Sequence, residues 1–397
     1  MVIINSKKVL LVKYGEISLR KGNRTHFEHG LLDTIRKHIK GLHDGSIRVL
    51  REQGRFLIED IRGDLDTDVI LPHIRYIFGL TGFCNAIKTE ARNIEDLCKI
   101  GQQFFTTHFK GSKTFKVVTK RSDKNYPMTS MEISQAIGES IFNSGLGIQV
   151  DLYNPEMTMW VEIRNHVYFY FDSEGGQGGL PYGSAGKGIL LLSGGFDSPV
   201  AGYLAGRRGV EIFPIYFHSP PFVSERAAEK VNDLVKTLSR FTGNINLCTV
   251  PFTEVQVFLK DEVQPEKLTI FLKRAMTRIA SMLAEKQKAQ CLITGDAIGQ
   301  VASQTIASLA AIESATTLPI LRPLAAMDKQ DIINIAHRID TYKISVRPYD
   351  DCCTLFVAKH PENRPHTPAI EKIESRIYDR LEPLIVSAFE SAKYSAF

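Results

Sequence analysis

Ser193-Gly194-Gly195-Phe196-Asp197-Ser198 follows the apolar run Gly188-Ile189-Leu190-Leu191-Leu192 and precedes Pro199-Val200-Ala201-Gly202-Tyr203-Leu204. This order predicts a buried strand, a tight glycine turn and a helix. Two adjacent glycines let the backbone bend where a Cβ would clash. Their exposed amides and the positive end of the helix dipole then face an anion, so the turn is built to hold phosphate. Ser193 and Ser198 add hydroxyl donors. The spacing is not that of a Walker loop, and the nearby Gly183-Ser184-Ala185-Gly186-Lys187-Gly188 ends in Gly where a Walker loop needs Ser or Thr.

Six cysteines stand at 84, 98, 248, 291, 352 and 353, with no C-x-x-C pair and no His/Cys spacing for zinc. Four sit singly in apolar settings and read as packing. Cys352-Cys353 follows Arg347-Pro348-Tyr349-Asp350-Asp351 in a loop-like stretch, where a cytosolic cysteine suits catalysis or metal binding. A reactive thiolate needs positive surroundings, which Arg347, Lys359 and His360 supply and the two aspartates do not. Basic residues gather in two places: residues 1–50 hold ten Lys/Arg against four Asp/Glu, and 113–124 five against one. Such clusters suit a phosphate backbone, or a solvated face.

The 397 residues suggest two to three domains, and an apolar content of 43% supports real cores. No run of about 18 apolar residues and no signal-peptide pattern occurs, so a soluble, cytoplasmic protein is expected, without a membrane partner. A small α+β unit is expected over 1–62, with a strand at 8–14, a helix at 24–40 and strands at 46–49 and 55–58. A second unit over 63–172 holds helices near 68–78, 94–108 and 130–143, with strands at 114–119, 158–163 and 166–172. The glycine-rich stretch 173–183 reads as a linker. Beyond it, over 184–397, apolar strands alternate with longer helices, the pattern of a doubly wound parallel sheet whose ligands sit at the carboxyl ends of strands.

The sequence Ser-Gly-Gly-x-Asp-Ser after a buried strand resembles the PP-loop of N-type ATP pyrophosphatases, which activate a carbonyl as its adenylate. Three further segments extend the likeness: Tyr14 to Arg24, Thr119 to Pro127, and Thr294-Gly295-Asp296-Ala297-Ile298-Gly299-Gln300-Val301-Ala302-Ser303-Gln304-Thr305. Together and in this order they resemble tRNA 4-thiouridine synthetases, in the short form without a rhodanese domain. The resemblance implies an α/β multidomain protein: an N-terminal ferredoxin-like domain, a tRNA-binding THUMP domain and a C-terminal PP-loop ATP pyrophosphatase. It implies that ATP and Mg²⁺ are used to adenylate O4 of a tRNA uridine, which sulfur from a persulfide then replaces to give 4-thiouridine. The persulfide would come from a cysteine desulfurase or another donor, and a homodimer is expected.

Onto this sequence the resemblance places nucleotide contacts at Leu191, Leu192, Ser193, Gly194, Gly195, Asp197, Ser198, Tyr216, Phe217, Lys273, Gly295 and Gln304. Asp197 is the candidate for orienting Mg²⁺ or the pyrophosphate side; its plainer role is a carboxylate stabilised by the helix dipole. Gly295 is expected to admit the base or ribose. Tyr216 and Phe217 can serve through backbone groups while their rings pack. Arg274 and Arg278 share a helix face that meets phosphate or solvent. Gln300 and Gln304 would face one way if their segment is helical, and Asp328-Lys329 can close the site. Either Cys352 or Cys353 matches the family's PP-loop-domain cysteine. For tRNA the candidates are Arg20, Lys21, Arg24, Lys116, Lys120, Arg121 and Lys124. The rivals are a PP-loop enzyme acting on a small molecule, which leaves the N-terminal 170 residues unused, and a non-enzymatic tRNA-binding protein.

Overall fold

The computed structural model describes residues 6–19, 22, 24–42, 44–349, 358 and 361–397. Two compact units divide the chain, 1–179 and 180–397.

In the first unit, β1 (Ser6–Tyr14), α1 (Arg24–Ile39), β2 (Ile47–Glu52), β3 (Arg55–Asp60), α2 (Thr67–Ile74) and β4 (Leu80–Thr89) form a βαββαβ arrangement with strand order β2-β3-β1-β4. The α1 stripe Phe27, Leu31, Leu32, Ile35 and Ile39 buries against Leu10, Val12, Phe56 and Ile58. A break at 62/63 is therefore corrected. β4 pairs with β1 from Ser6 to Tyr14, and α2 buries Ile70 and Ile74 in the same core, so both complete the ferredoxin-like part. The sequence reading missed β4 because Gly82 and Asn85 interrupt its apolar pattern.

The sheet does not stop there. α3 (Ile94–His108), β5 (Thr114–Arg121), α4 (Ser130–Phe142), β6 (Gln149–Val150), β7 (Met157–Ile163) and β8 (Val167–Tyr170) follow, and the order continues β4-β8-β7-β5-β6. Asn93 caps α3, and Thr129 with Glu132 closes a capping box on α4. The stretch 173–183 is not a free linker. β9 (Glu174–Gly175) pairs with β4, and the Gly176 and Gly178 amides donate to the Thr81 and Leu80 carbonyls. A Cβ on Gly176 would lie 2.3 Å from the Leu80 oxygen, so only glycine fits. Leu180 already bonds to Arg207 of the second unit. The junction is the single step from 179 to 180.

The second unit runs β10 (Lys187–Leu191), α5 (Asp197–Arg207), β11 (Glu211–His218), α6 (Glu225–Thr242), β12 (Asn246–Pro251), α7 (Thr253–Glu262), α8 (Pro265–Gln287), β13 (Cys291–Ile293), α9 (Ile306–Glu313), β14 (Ile320–Leu321), α10 (Lys329–Arg338), α11 (Tyr342–Ser345), α12 (Thr367–Glu390) and β15 (Lys393–Ala396). Strand order is β14-β13-β10-β11-β12-β15, parallel except for β15. Chain order reverses between β10 and β13, which opens a crevice at their carboxyl ends. α12 and β15 were absent from the sequence reading: Pro383 interrupts the helical stretch, and β15 forms only by joining the β12 edge. Among the described residues no helix is long and apolar enough to cross a membrane.

Candidate active site

The turn from β10 into α5 is held by Ser198. Its hydroxyl accepts the Ser193 N–H at 2.9 Å and lies 3.2 Å from the Ser193 carbonyl, to which it donates. Ser198, 4% exposed, is thus a loop staple rather than the free phosphate donor expected. No side chain caps α5 at Phe196, so the helix presents its amino end to a ligand. The Phe196 ring lies 6.4 Å from Tyr342, itself 4.1 Å from His337, which ties the loop to α10 and α11.

A cavity of about 240 Å³ opens beside this loop. Ten expected residues line it: Leu191, Leu192, Ser193, Asp197, Ser198, Tyr216, Phe217, Lys273, Gly295 and Gln304. Gly194 and Gly195 belong to the adjoining turn and are not in the wall. Sequence reasoning missed Asp296, although it lies within the 294–305 segment singled out, and it missed Arg322. It had no signal for Met276, Ile312 and Ile320, which join Leu191 and Phe217 in an apolar surface suited to a flat base. Gly295 has a further reason beside the one expected. A Cβ there would lie 2.7 Å from the Ser198 nitrogen, so it also permits the close approach of the first turn of α5.

The polar wall is charged and incompletely paired. Lys273 reaches Asp296 at 3.0 Å, and the Gln304 amide nitrogen reaches the same carboxylate oxygen at 3.4 Å. Burial acts to raise the Asp296 carboxyl, but the Lys273 charge and hydrogen bond, with Arg322, hold it below its ordinary range. For Asp197 burial prevails. Its carboxyl is pushed up to about 6 against a Gln300 hydrogen bond and the Lys329 charge, with Asp296 adding to the rise. Asp197 Oδ1 and Gln304 Oε1 are buried without a protein partner.

Such acceptors ask for a cation or a donor from the ligand. One unpartnered carboxylate oxygen fits Mg²⁺ that takes its remaining ligands from phosphate and water. Among the described residues no cluster of three or more His, Cys, Asp or Glu side chains forms a metal site by itself.

Several expectations are corrected. Arg274 and Arg278 do not meet phosphate or solvent as a pair: both bind Glu374 of α12 at 2.6 Å, and Arg274 is 1% exposed. Gln300 and Gln304 do not share an α-helical face, because Ala302–Gln304 is a short 3-10 turn. Asp328 caps α10 through the Asp331 N–H at 3.0 Å. In the first unit Arg24 pairs with buried Glu28 at 2.7 Å, and Arg121 donates to the Tyr126 and Met128 carbonyls at 2.7 and 2.8 Å. Both are structural as well as basic. Lys120 and Lys124 are exposed, Lys120 over the Trp160 ring at 4.4 Å, and Lys116 is half-buried. Arg20, Lys21, Cys352 and Cys353 lie outside the described residues.

Family models match along the chain: a ThiI ferredoxin-like domain over 9–84, a THUMP domain over 91–172, and "Thiamine biosynthesis protein (ThiI)" over 183–378. The protein named "Probable tRNA sulfurtransferase" of Agathobacter rectalis is 44% identical, covering 97% of this chain and 98% of its own. Its namesake in Acetivibrio thermocellus is 42% identical, covering 98% of both. A solved 4-thiouridine synthetase in complex with RNA and ATP superposes with a TM-score of 0.87 at 38% identity, covering 98% of this chain and 100% of that one.

Proposed function

We propose, from its membership of the tRNA sulfurtransferase family, that this chain thiolates a tRNA uridine, with Asp197 and Lys273 handling ATP in the cavity between β10 and β13. It is an ATP-using tRNA sulfurtransferase that converts uridine to 4-thiouridine. The observation that carries the site assignment is Asp197 Oδ1, a buried acceptor without a protein partner at the amino end of α5.

A uracil O4 is a poor leaving group. Its attack on the α-phosphate of ATP releases pyrophosphate, sheds the N3 proton and makes AMP the group to depart. Persulfide sulfur then attacks C4 and AMP leaves, so that the uracil is joined to the donor through a C4–S–S link. A second thiol attacks the donor-side sulfur, the S–S bond breaks as a disulfide forms with the donor, and the sulfur stays on C4 while N3 regains a proton. In this reading the loop amides and Lys273 hold the phosphates while Phe217, Met276 and Ile312 bury the base. Asp197 would hold Mg²⁺, which supplies charge stabilisation at the transferring phosphoryl group when bound. The expected domain parts bring tRNA through the first unit, where Lys116, Lys120 and Lys124 suit phosphate contact.

Sulfur delivery from a cysteine desulfurase or another persulfide donor, through Cys352 or Cys353, is part of the proposal. So are the homodimer and a cytoplasmic location. These parts rest on the family resemblance.

The test is nucleoside mass spectrometry of unmodified tRNA incubated with the protein, Mg-ATP, a cysteine desulfurase and cysteine, with AMP measured in parallel. Thiolated uridine with matching AMP is the expected result. AMP without thiolation would overturn the proposed donor, and neither product would overturn the site.

A further inference from the structure

Asp296 is used by no step above, yet it lies in the wall of the cavity and touches two of the residues that face the nucleotide. It follows Gly295 just beyond the carboxyl end of β13, the strand beside the phosphate loop at the point where chain order reverses. One oxygen, Oδ1, takes both the Lys273 ammonium and the Gln304 amide nitrogen.

An ionised carboxylate only accepts hydrogen bonds. Whatever sits 3.4 Å from it on Gln304 must therefore be the NH₂ group, which fixes the amide orientation and leaves Oε1 as the free end. That oxygen is buried and has no protein partner. A buried amide carbonyl in this state matches a donor on the ligand and is penalised by a facing acceptor. Adenine carries an exocyclic amino group where guanine carries a carbonyl, and ribose hydroxyls can donate in either nucleotide.

The charged groups around Asp296 act together. Lys273 projects from α8, Arg322 follows β14 and is held by Glu313 at 2.6 Å, and Asp197 opens α5. The two cations keep Asp296 ionised, and the ionised carboxylate keeps the amide from turning over.

We infer that Asp296 is a positioning residue that sets the nucleotide preference of the cavity: it anchors the Lys273 ammonium and locks the Gln304 amide so that its carbonyl meets a hydrogen-bond donor of the nucleotide. This deepens the ATP reading of the cavity and rests on it. Asn at 296 keeps the shape but can donate from its own amide, so Gln304 is released to turn.

Binding of ATP and GTP is measured by calorimetry on the full-length wild type, Asp296→Asn, Asp296→Glu, Gln304→Ala and Gln304→Ala/Asp296→Asn proteins. Asp296→Asn is expected to weaken ATP about tenfold and to narrow the ATP:GTP ratio by a similar factor. Asp296→Glu should restore part of both. In the Gln304→Ala background, Asp296→Asn should still weaken ATP through Lys273 but leave the ratio unchanged.

A folding role alone would lower the melting temperature and leave the ratio intact, which overturns the inference, as does an unaltered ATP affinity in Asp296→Asn. Should Asp296→Asn fail to fold, an ATP:GTP ratio in Gln304→Ala equal to that of wild type overturns the inference by itself. If the wild type binds neither nucleotide, the reading of the cavity fails first and this inference with it.

Discussion

Lys273 and Arg274 are neighbours on α8 and both pair with a carboxylate, yet their surroundings are opposite. Lys273 faces the cavity, where it pairs with Asp296 and where Gln304 and Asp197 leave acceptor oxygens without protein partners. Arg274 faces inward, where Glu374 takes two of its nitrogens and the Ala311 carbonyl and Ser314 take a third. Arg278, one turn on, joins the same carboxylate. The inner cluster is largely satisfied by protein and fastens α8, α9 and α12 together. The outer one is left incomplete, as a site must be that draws its last partners from a ligand. Two cations of the same helix thus differ in function because one residue step turns a side chain by about 100°.

The strongest way to break this contrast is Asp197→Asn. Thiolation is expected to fall by at least about 100-fold with tRNA binding retained. Stability should move the other way. Because burial raises the Asp197 carboxyl to about 6, its contribution is fully present below the ordinary carboxylate pKa and is lost as pH climbs through about 6. The Asn variant should therefore melt above wild type at pH 8 and close to it at pH 4, while wild-type activity rises through about pH 6 as Asp197 ionises. Equal melting temperatures at pH 8 would show that Asp197 is not strained in the empty site.

Next in size is Glu374→Ala, which strands a buried guanidinium. Urea denaturation should report a loss of about 3–5 kcal/mol, with the ATP KM of the folded enzyme unchanged. A raised KM would mean that the two clusters on α8 are coupled and would erase the distinction drawn here.

The smallest effects are expected in the first unit, where the same division between free and engaged cations holds. Lys120→Glu should weaken tRNA binding a few-fold and flatten its salt dependence by about one unit of slope, with the melting temperature unchanged. Arg121→Glu should instead lower the melting temperature, because Arg121 supports the Tyr126 and Met128 carbonyls. If both variants behave alike in tRNA filter binding and in melting, hydrogen bonding in this loop does not distinguish them.

Sequence by itself determined the parts whose physics is local. The glycine turn at 193–198 between a buried strand and a helix, the alternation of strands and helices after it, and the α1 stripe follow from neighbours a few residues apart. Ten of the cavity's residues were legible for that reason and through the family resemblance. Tertiary structure decided whatever depends on partners far along the chain. β4 is a strand because β1 and β8 flank it, and β15 because β12 offers an open edge. Glu374 turns Arg274 and Arg278 into struts from 100 and 96 residues away. Asp296 gained its place only when β13 came to lie beside β10. A residue's charge is written in the sequence, but whether that charge is spent on the fold or left for a ligand depends on which distant group reaches it, and only the folded chain brings that group near.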